Sequence, residues 1–168
     1  LPRLEGPVIV CAQAGEVNTG AFDPFDPIID WARERDAWVH VDGAFGLWAA
    51  TSPERRDLVE GVAGADSWAS DAHKWLNVPY DCGLVFCARP SAHRASMTMQ
   101  ASYFEGQGKW VRDAADWTPE SSRRARAFTV YAALRSLGRE GVADLVDRCC
   151  DLAQQFADGI ARLPGCEL

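Results

Sequence analysis

The 168-residue sequence lacks a long apolar run, an excess of basic residues and a recognisable secretion signal. Charged residues interrupt every apolar stretch before it reaches the roughly 20 residues that a membrane-spanning helix needs. Lys and Arg number 17 against 24 Asp and Glu, a net charge of −7. This acidic balance argues against binding to nucleic acid or to an anionic membrane. Residues 1–7 have neither a signal-peptide layout nor an initiator Met. What is present, 48% hydrophobic and 24% charged residues, is typical of a globular domain.

The six cysteines do not have the spacing of a disulfide framework or of a zinc site. Cys149 and Cys150 are adjacent in a predicted helix, Cys11 and Cys87 lie in strand-like apolar runs, and no C-x-x-C pair occurs. The three histidines make no zinc-type spacing with them. We therefore predict buried thiols, no structural metal and a cytoplasmic location.

Short apolar runs in the first half predict the strands of a largely parallel sheet. They cover residues 7–12, 37–42, 66–70 and 83–87. Helical patterns lie between them, from Asp23 to Asp36 and again from Ser52. Strands that alternate with helices predict βαβ units and an α/β fold.

The second half has a different pattern. Residues 100–119 are polar and aperiodic, which predicts a functional, mobile loop. A helix is predicted from about Glu120 to Leu137, closed by Gly138, and an amphipathic helix follows up to Pro164. Because the chain begins just before a strand and ends as a new element starts, we expect an internal piece of a larger protein. Residues 1–120 would belong to the sheet domain, and 121–168 to helices that lead to a further domain.

Three polar segments follow predicted strands, at the edge where ligands of open α/β sheets bind. Asp42 ends the second strand, the segment 71–75 follows the third, and the loop 15–20 follows the first. Each has a plain alternative from spacing alone. Asp42 could cap a turn, Lys74 could be an ordinary solvated lysine, and His73 could be a packed side chain.

Asp42 and Lys74 are more informative together than apart. They follow successive strands, so we expect them to face one cavity. A buried carboxylate needs a cationic partner, and a lysine in an apolar setting is a good amine nucleophile for a Schiff base. A carboxylate for a pyridinium nitrogen and a Schiff-base lysine are the two protein groups that pyridoxal phosphate requires.

The segments around these residues resemble the group II pyridoxal-phosphate-dependent amino-acid decarboxylases, which include the aromatic-L-amino-acid, histidine and glutamate decarboxylases. The matching segments are HVDGAFG at 40–46, ADS at 65–67, DAHKWL at 71–76, GEVNTGAFDP at 15–24 and NVPYDCG at 77–83. The resemblance covers nearly the whole chain. It implies part of the large domain of a fold-type I enzyme, a three-layer α/β arrangement with a mostly parallel sheet, as in aspartate aminotransferase.

The same resemblance implies a role for each matching residue. Lys74 would form the internal aldimine with pyridoxal 5'-phosphate, and Asp42 would pair with the pyridine nitrogen. Ala44 would pack against the cofactor ring. Asp71 and His73 would lie close to the cofactor and its phosphate, although the place of Asp71 is Asn in some members.

Three further positions enter through the resemblance. Asn18 would lie near the cofactor, and Gly43 stands where Ala is common. Tyr103 follows Lys74 by 29 residues and matches the mobile-loop tyrosine that protonates the substrate carbanion, reaching into the neighbouring subunit's site. An ordinary loop aromatic is the alternative for Tyr103.

The implied activity is the decarboxylation of an L-amino acid to its amine by a homodimer that completes the active site between subunits. In this family the phosphate-binding loop and the histidine that stacks on the cofactor precede the position that matches Leu1, so we expect the fragment alone to be inactive. Two alternatives stay open: another fold-type I lyase that breaks a C–C or C–S bond, or a scaffold that has lost the cofactor. The sequence does not indicate which amino acid is the substrate.

Overall fold

Four strands form one sheet in the order β1-β2-β3-β4. Their bounds are β1 Ile9–Gln13, β2 Trp38–Asp42, β3 Ser67–Asp71 and β4 Gly83–Cys87. The computed structural model describes residues 6–98, 113–120 and 122–166. All four predicted strands are therefore confirmed, to within two residues at each end.

The fourth strand runs against the other three. β1 pairs with β2, and β2 with β3, in parallel, whereas β3 and β4 are antiparallel. The mostly parallel sheet is confirmed, and β4 is its antiparallel strand. A parallel connection needs a crossover of a dozen or more residues, usually a helix. Residues 72–82 join β3 to β4 without one, and they return the chain so that Gly83 lies opposite Asp71.

In the part of the chain that the structure describes, three α-helices accompany the sheet: α1 Phe25–Arg33, α2 Pro90–Met97 and α3 Arg126–Ile160. α1 lies where the sequence predicted a helix, and α2 was missed. α3 spans both predicted C-terminal helices, with a break between them at Gly138, whose φ of 65° and ψ of −176° are not helical. A glycine adopts this conformation without the steric cost of a side chain. Among the described residues, no helix has the length and apolar character needed to span a bilayer.

The helix predicted from Ser52 is wrong. Of the three short 3-10 helices in this region, Gly46–Thr51 precedes Ser52, and Arg56–Val59 and Val62–Gly64 follow it. Ser52 is fully buried between the first two, where its Oγ donates to Asp147 Oδ1 at 2.6 Å and accepts the Glu54 N–H at 3.1 Å. Ser52 is extended, with a ψ of 127°, and its Oγ accepts the Glu54 N–H as a helix N-cap does. The predicted start is therefore present, but it leads into 3-10 helices rather than an α-helix.

The buried side chains form two clusters. The first lies between one sheet face, α1 and the 3-10 helices, and includes Val39, Val41, Phe25 and Ile29. The opposite face of β1 is open in the described residues, and Ile9 on that face is 68% exposed. The second cluster lies under the connection from β3 to β4 and joins it to α3: Ala72, Leu76, Val78, Cys82, Val130 and Val142.

The cysteines differ from the prediction of uniformly buried thiols. All six are free, but only Cys82 is buried, and Cys11 and Cys166 are exposed. Cys11 lies on the open face of β1 because strand side chains alternate between faces. Burial raises the pKa of the Cys82 thiol, which favours its neutral form.

Candidate active site

The connection from β3 to β4 presents His73 and Lys74 at the carboxyl end of the sheet. Its apolar residues anchor it in the second cluster, since Ala72 is 0%, Leu76 4% and Val78 6% exposed. The Ala72 N–H donates to Cys82 O at 2.9 Å, and the Val78 N–H donates to Ala72 O at 3.2 Å. The polar residues between these anchors therefore occupy a fixed turn.

Lys74 has two close partners. Its Nζ lies 2.9 Å from Oδ2 of Asp71, the last residue of β3, and 4.6 Å from the centroid of the Phe45 ring. The Lys74 side chain is 27% exposed, so the ion pair is only partly screened by solvent. The setting is aromatic, as expected from the sequence, but the Asp71 carboxylate gives it a charged partner that spacing did not indicate.

His73 contacts the Tyr80 ring and is held by hydrogen-bond partners at Nδ1. Its Nδ1 lies 3.0 Å from the backbone N and 3.1 Å from the backbone O of Cys82. Its Nε2 lies 3.8 Å from Asp71 Oδ2, and its ring lies 4.2 Å from the Tyr80 ring, centroid to centroid. One carboxylate oxygen of Asp71 thus faces both Lys74 and His73.

Asp42 ends β2 and is exposed, so the expectation of a buried carboxylate is wrong. Its Oδ1 accepts the Ala44 N–H at 3.0 Å, which is the turn-capping role. Within the described residues, Oδ2 accepts no hydrogen bond and is available to a ligand. Asp42 pairs in register with Ala69 of β3. Since side chains two apart on a strand share a face, the carboxylates of Asp42 and Asp71 lie on the same face at the same edge.

A cavity of about 840 Å³ opens beside Lys74. Its wall combines the loop after β1, the segment 45–49 and the cavity-facing side of α3. The charged and aromatic lining residues include Glu16, Arg55, Phe45 and Tyr80. Among the described residues Asp42 is not part of this lining. Asp42 and Lys74 are linked instead through the Ala44–Phe45 segment, whose first residue bonds to Asp42 and whose second contacts Lys74.

The loop after β1 is organised by Glu16, which sequence reasoning missed. Asn18 donates to it through Nδ2 at 2.7 Å and through its backbone N–H at 3.0 Å, and Thr19 donates twice more. Desolvation raises the pKa of Glu16, but these hydrogen bonds outweigh it and the net pKa is lowered. Asn18 is exposed and bound to Glu16, and Glu16 is the member of the pair that lines the cavity.

Close backbone contacts explain two glycines of the segment 40–46. The Gly46 N–H donates to Ala14 O at 2.9 Å, and a Cβ at Gly46 would lie 2.5 Å from that oxygen. A Cβ at Gly43 would lie 2.6 Å from Leu47 Cβ. A side chain at position 43 would therefore collide with Leu47 unless Leu47 moved.

Tyr103 lies outside the described residues, as do residues 99–112. Of the predicted loop, the part that the structure describes contains a short 3-10 helix at Ala114–Trp117. No group of three or more His, Cys, Asp or Glu in the described part of the chain is arranged to hold a metal ion.

These residues fit a pyridoxal-type cofactor by their chemistry. The turn supplies an amine, Lys74, and the neighbouring strand supplies the Asp42 carboxylate, whose Oδ2 accepts no hydrogen bond from the residues that the structure describes. Only the small residues Gly43 and Ala44 lie between Asp42 and Phe45, the ring that contacts Lys74. An α/β sheet with this donor set at its carboxyl edge is the arrangement of a fold-type I large domain.

The chain belongs to the pyridoxal-dependent decarboxylase family, whose conserved domain matches residues 4–168. This confirms the resemblance and the cofactor class expected from the sequence. The chain is 32% identical over 162 residues to tyrosine/DOPA decarboxylase 2 of Papaver somniferum, covering 95% of this chain and 30% of the relative. It is 32% identical over 160 residues to a phenylacetaldehyde synthase of a Rosa hybrid cultivar, covering 94% of this chain and 31% of the relative.

A solved structure confirms the fold. The crystal structure of Oryza sativa TDC with PLP and tryptamine superposes with a TM-score of 0.84 at 27% identity, over 92% of this chain and 32% of that one. The chain thus spans about a third of the length of the proteins that it matches.

Proposed function

We propose that the complete protein decarboxylates an L-amino acid to its amine, with release of CO2 and with pyridoxal 5'-phosphate as cofactor. The observation that carries this proposal is the cluster of Asp71, at the end of β3, with His73 and Lys74 in the turn that follows, beside the strand that ends in Asp42. Membership in the decarboxylase family supports it. When bound, the cofactor supplies the electron sink that accepts the pair left by the departing CO2.

Lys74 and Asp42 would hold the cofactor at two places, its covalent attachment point and its ring nitrogen. The Lys74 amine would be the covalent attachment point, and the Asp71 carboxylate at 2.9 Å orients that amine. The free Oδ2 of Asp42 would accept the N–H of the cofactor ring and keep that nitrogen protonated. Ala44 would pack against the ring.

Asp71 and His73 divide the remaining contacts. A carboxylate repels a phosphate dianion unless a cation or proton lies between them, so we assign Asp71 to Lys74 rather than to the cofactor phosphate. His73 would contact the cofactor with its ring held by Cys82. Asn18 would act through Glu16, which lines the Lys74 cavity.

Tyr103 would deliver a proton to the α-carbon of the substrate after CO2 leaves. The loop tyrosine would come from the neighbouring subunit, so the proposal includes a homodimer with sites completed across the interface. Residues 1–120 would form part of the cofactor domain, and 121–168 would lead to a further domain. A cytoplasmic location remains a prediction.

The decisive experiment measures CO2 release from a panel of L-amino acids by the complete protein with added pyridoxal phosphate. Lys74→Ala should abolish release, because the attachment point is gone. This chain has only one other lysine, Lys109, so Lys109→Arg is the matched control and should keep activity. Release that survives Lys74→Ala would refute the proposal. Cofactor attachment at Lys74 without CO2 release would favour a different fold-type I lyase, and neither signal would favour a scaffold.

An aldehyde product is the second candidate, because a phenylacetaldehyde synthase is as similar to this chain as the decarboxylase relative. Quantifying amine and aldehyde in the same reaction separates the two. If Tyr103 protonates the α-carbon, wild-type protein yields amine, and Tyr103→Phe loses amine or diverts product to aldehyde. Unchanged amine formation by Tyr103→Phe would remove Tyr103 from the mechanism.

A further inference from the structure

Residues 80–82 hold His73 from two directions. The Tyr80 ring covers the imidazole at 4.2 Å, and Cys82 offers Nδ1 both a backbone N–H at 3.0 Å and a carbonyl at 3.1 Å. Because a donor and an acceptor both face Nδ1, that nitrogen is satisfied in either tautomer of the ring. The side chain of His73 is only 13% exposed. Its orientation therefore depends on where the three residues 80–82 lie.

The start of α3 clamps the middle residue of this segment. Arg126 binds the Asp81 carboxylate with two prongs, Nε to Oδ1 at 3.0 Å and Nη2 to Oδ2 at 3.1 Å, and its Nε also reaches Asp81 O at 3.0 Å. Arg124 Nη2 donates to Tyr80 O at 2.6 Å and to Asp81 O at 3.1 Å. Two-pronged arginine–carboxylate contacts fix geometry as well as charge.

The electrostatics of the pair agree with a tight clamp. The hydrogen bond from Arg126 lowers the pKa of Asp81, and the same bond raises the pKa of Arg126. The Asp81 side chain is 67% exposed, so an isolated ion pair there would contribute little to stability. The same arginines also bind the backbone carbonyls of residues 80 and 81. The main effect of these contacts is therefore to fix the position of this backbone segment.

We propose that Asp81 is a positioning residue of the active site, which acts through Tyr80 and Cys82 to hold the His73 ring beside Asp71 and Lys74. Hydrogen bonds and the peptide chain connect Arg126 to Asp81 and, through residues 80 and 82, to His73. His73 Nε2 then lies 3.8 Å from the Asp71 oxygen that binds Lys74. Asp81 itself touches neither Lys74 nor Asp71. The inference rests on the proposed function, since it assigns His73 to the cofactor.

The test compares Asp81→Ala with Asp116→Ala in the complete protein. Asp116 also receives a two-atom arginine contact, from Arg94 at 2.6 and 2.9 Å, but it ties the 3-10 helix at 114–117 to α2 and is not part of the chain of contacts to His73. We expect Asp81→Ala to weaken pyridoxal phosphate binding about 10-fold and to lower kcat by about 10- to 100-fold, with KM for the amino acid little changed. Asp116→Ala should leave cofactor affinity, its absorption spectrum and kcat unchanged.

A second variant protects the test if Asp81→Ala fails to fold. Arg126→Lys keeps the cation but loses the fork, so it should shift the same quantities by a smaller factor. If Arg126→Lys and Asp81→Ala have the same cofactor affinity and kcat as Asp116→Ala, Asp81 is not a positioning residue. The proposed function would still stand in that case. Wild-type protein that binds no pyridoxal phosphate would overturn both.

Discussion

Oδ2 of Asp71 lies 2.9 Å from Nζ of Lys74, three residues further along the chain. Asp71 is the last residue of β3, and Lys74 lies in the turn that follows, so the end of a strand positions the amine. The same oxygen lies 3.8 Å from Nε2 of His73. The site is therefore organised around a carboxylate that belongs to the sheet and not to a loop.

A double-mutant cycle should detect the Asp71–Lys74 pair in stability. Both side chains are about a quarter exposed, at 24% and 27%, so solvent screens part of the attraction. We expect a coupling free energy of about 0.5–1 kcal/mol between Asp71→Ala and Lys74→Ala. Urea denaturation of the two single variants, the double variant and wild type gives the value. Additive effects would mean that the ion pair contributes no measurable stability.

Replacing Asp42 separates its turn contact from its charge. In an Asp42→Asn variant the side-chain amide would still offer an oxygen to the Ala44 N–H, which lies 3.0 Å from Oδ1 of the aspartate. That amide carries no negative charge for a protonated ring nitrogen. Asp42→Asn should therefore fold with a thermal midpoint close to wild type and lose orders of magnitude in decarboxylation. Asp42→Ala should lose activity and the turn contact together. An active Asp42→Asn enzyme would show that the ring nitrogen does not depend on this carboxylate.

Two buried serines should respond to alanine with opposite signs. Ser70 is 3% exposed and its Oγ has no hydrogen-bond partner among the described residues, so Ser70→Ala removes an unpaired hydroxyl and should stabilise by about 1 kcal/mol. Ser52 is 0% exposed and its Oγ bonds to Asp147 and to the Glu54 N–H. Ser52→Ala should cost about 1–3 kcal/mol. Urea denaturation measures both, and equal signs would contradict this account of the polar groups.

The Asp81 clamp should make stability depend on acid pH. The hydrogen bond from Arg126 lowers the folded-state pKa of Asp81 below its ordinary value of 3.8. A lowered folded pKa adds stability above the ordinary value, and that stability is lost as the pH falls through the folded pKa. Thermal midpoints between pH 7 and pH 3 should show Asp81→Asn less stable than wild type at neutral pH, with the difference shrinking in acid. A constant difference over that range would exclude a charge contribution.

Local sequence pattern was sufficient to predict the strands and to find the charged and polar side chains of the candidate site. The runs that became β1 to β4 are short, apolar and bounded by turn residues, and such runs have few alternative structures. Asp42, His73 and Lys74 were found because polar residues after apolar strands stand out. The α-helix after Ser52 was wrong, although Ser52 caps the Glu54 N–H as a helix start does. The Ser52 hydroxyl also bonds to Asp147, 95 residues away, a contact that no local pattern contains.

The sequence by itself determined an α/β chain with a lysine and an aspartate after neighbouring strands, because hydrophobic periodicity and residue chemistry are local properties. Tertiary structure alone decided that β4 turns back, that Asp42 is exposed, that Asp71 pairs with Lys74, and that Arg126 holds the segment beside His73. These are contacts between groups whose distance depends on how strands and α3 pack. Such contacts join residues that are far apart in the sequence, so local patterns do not predict them and they are known only once the whole chain is folded.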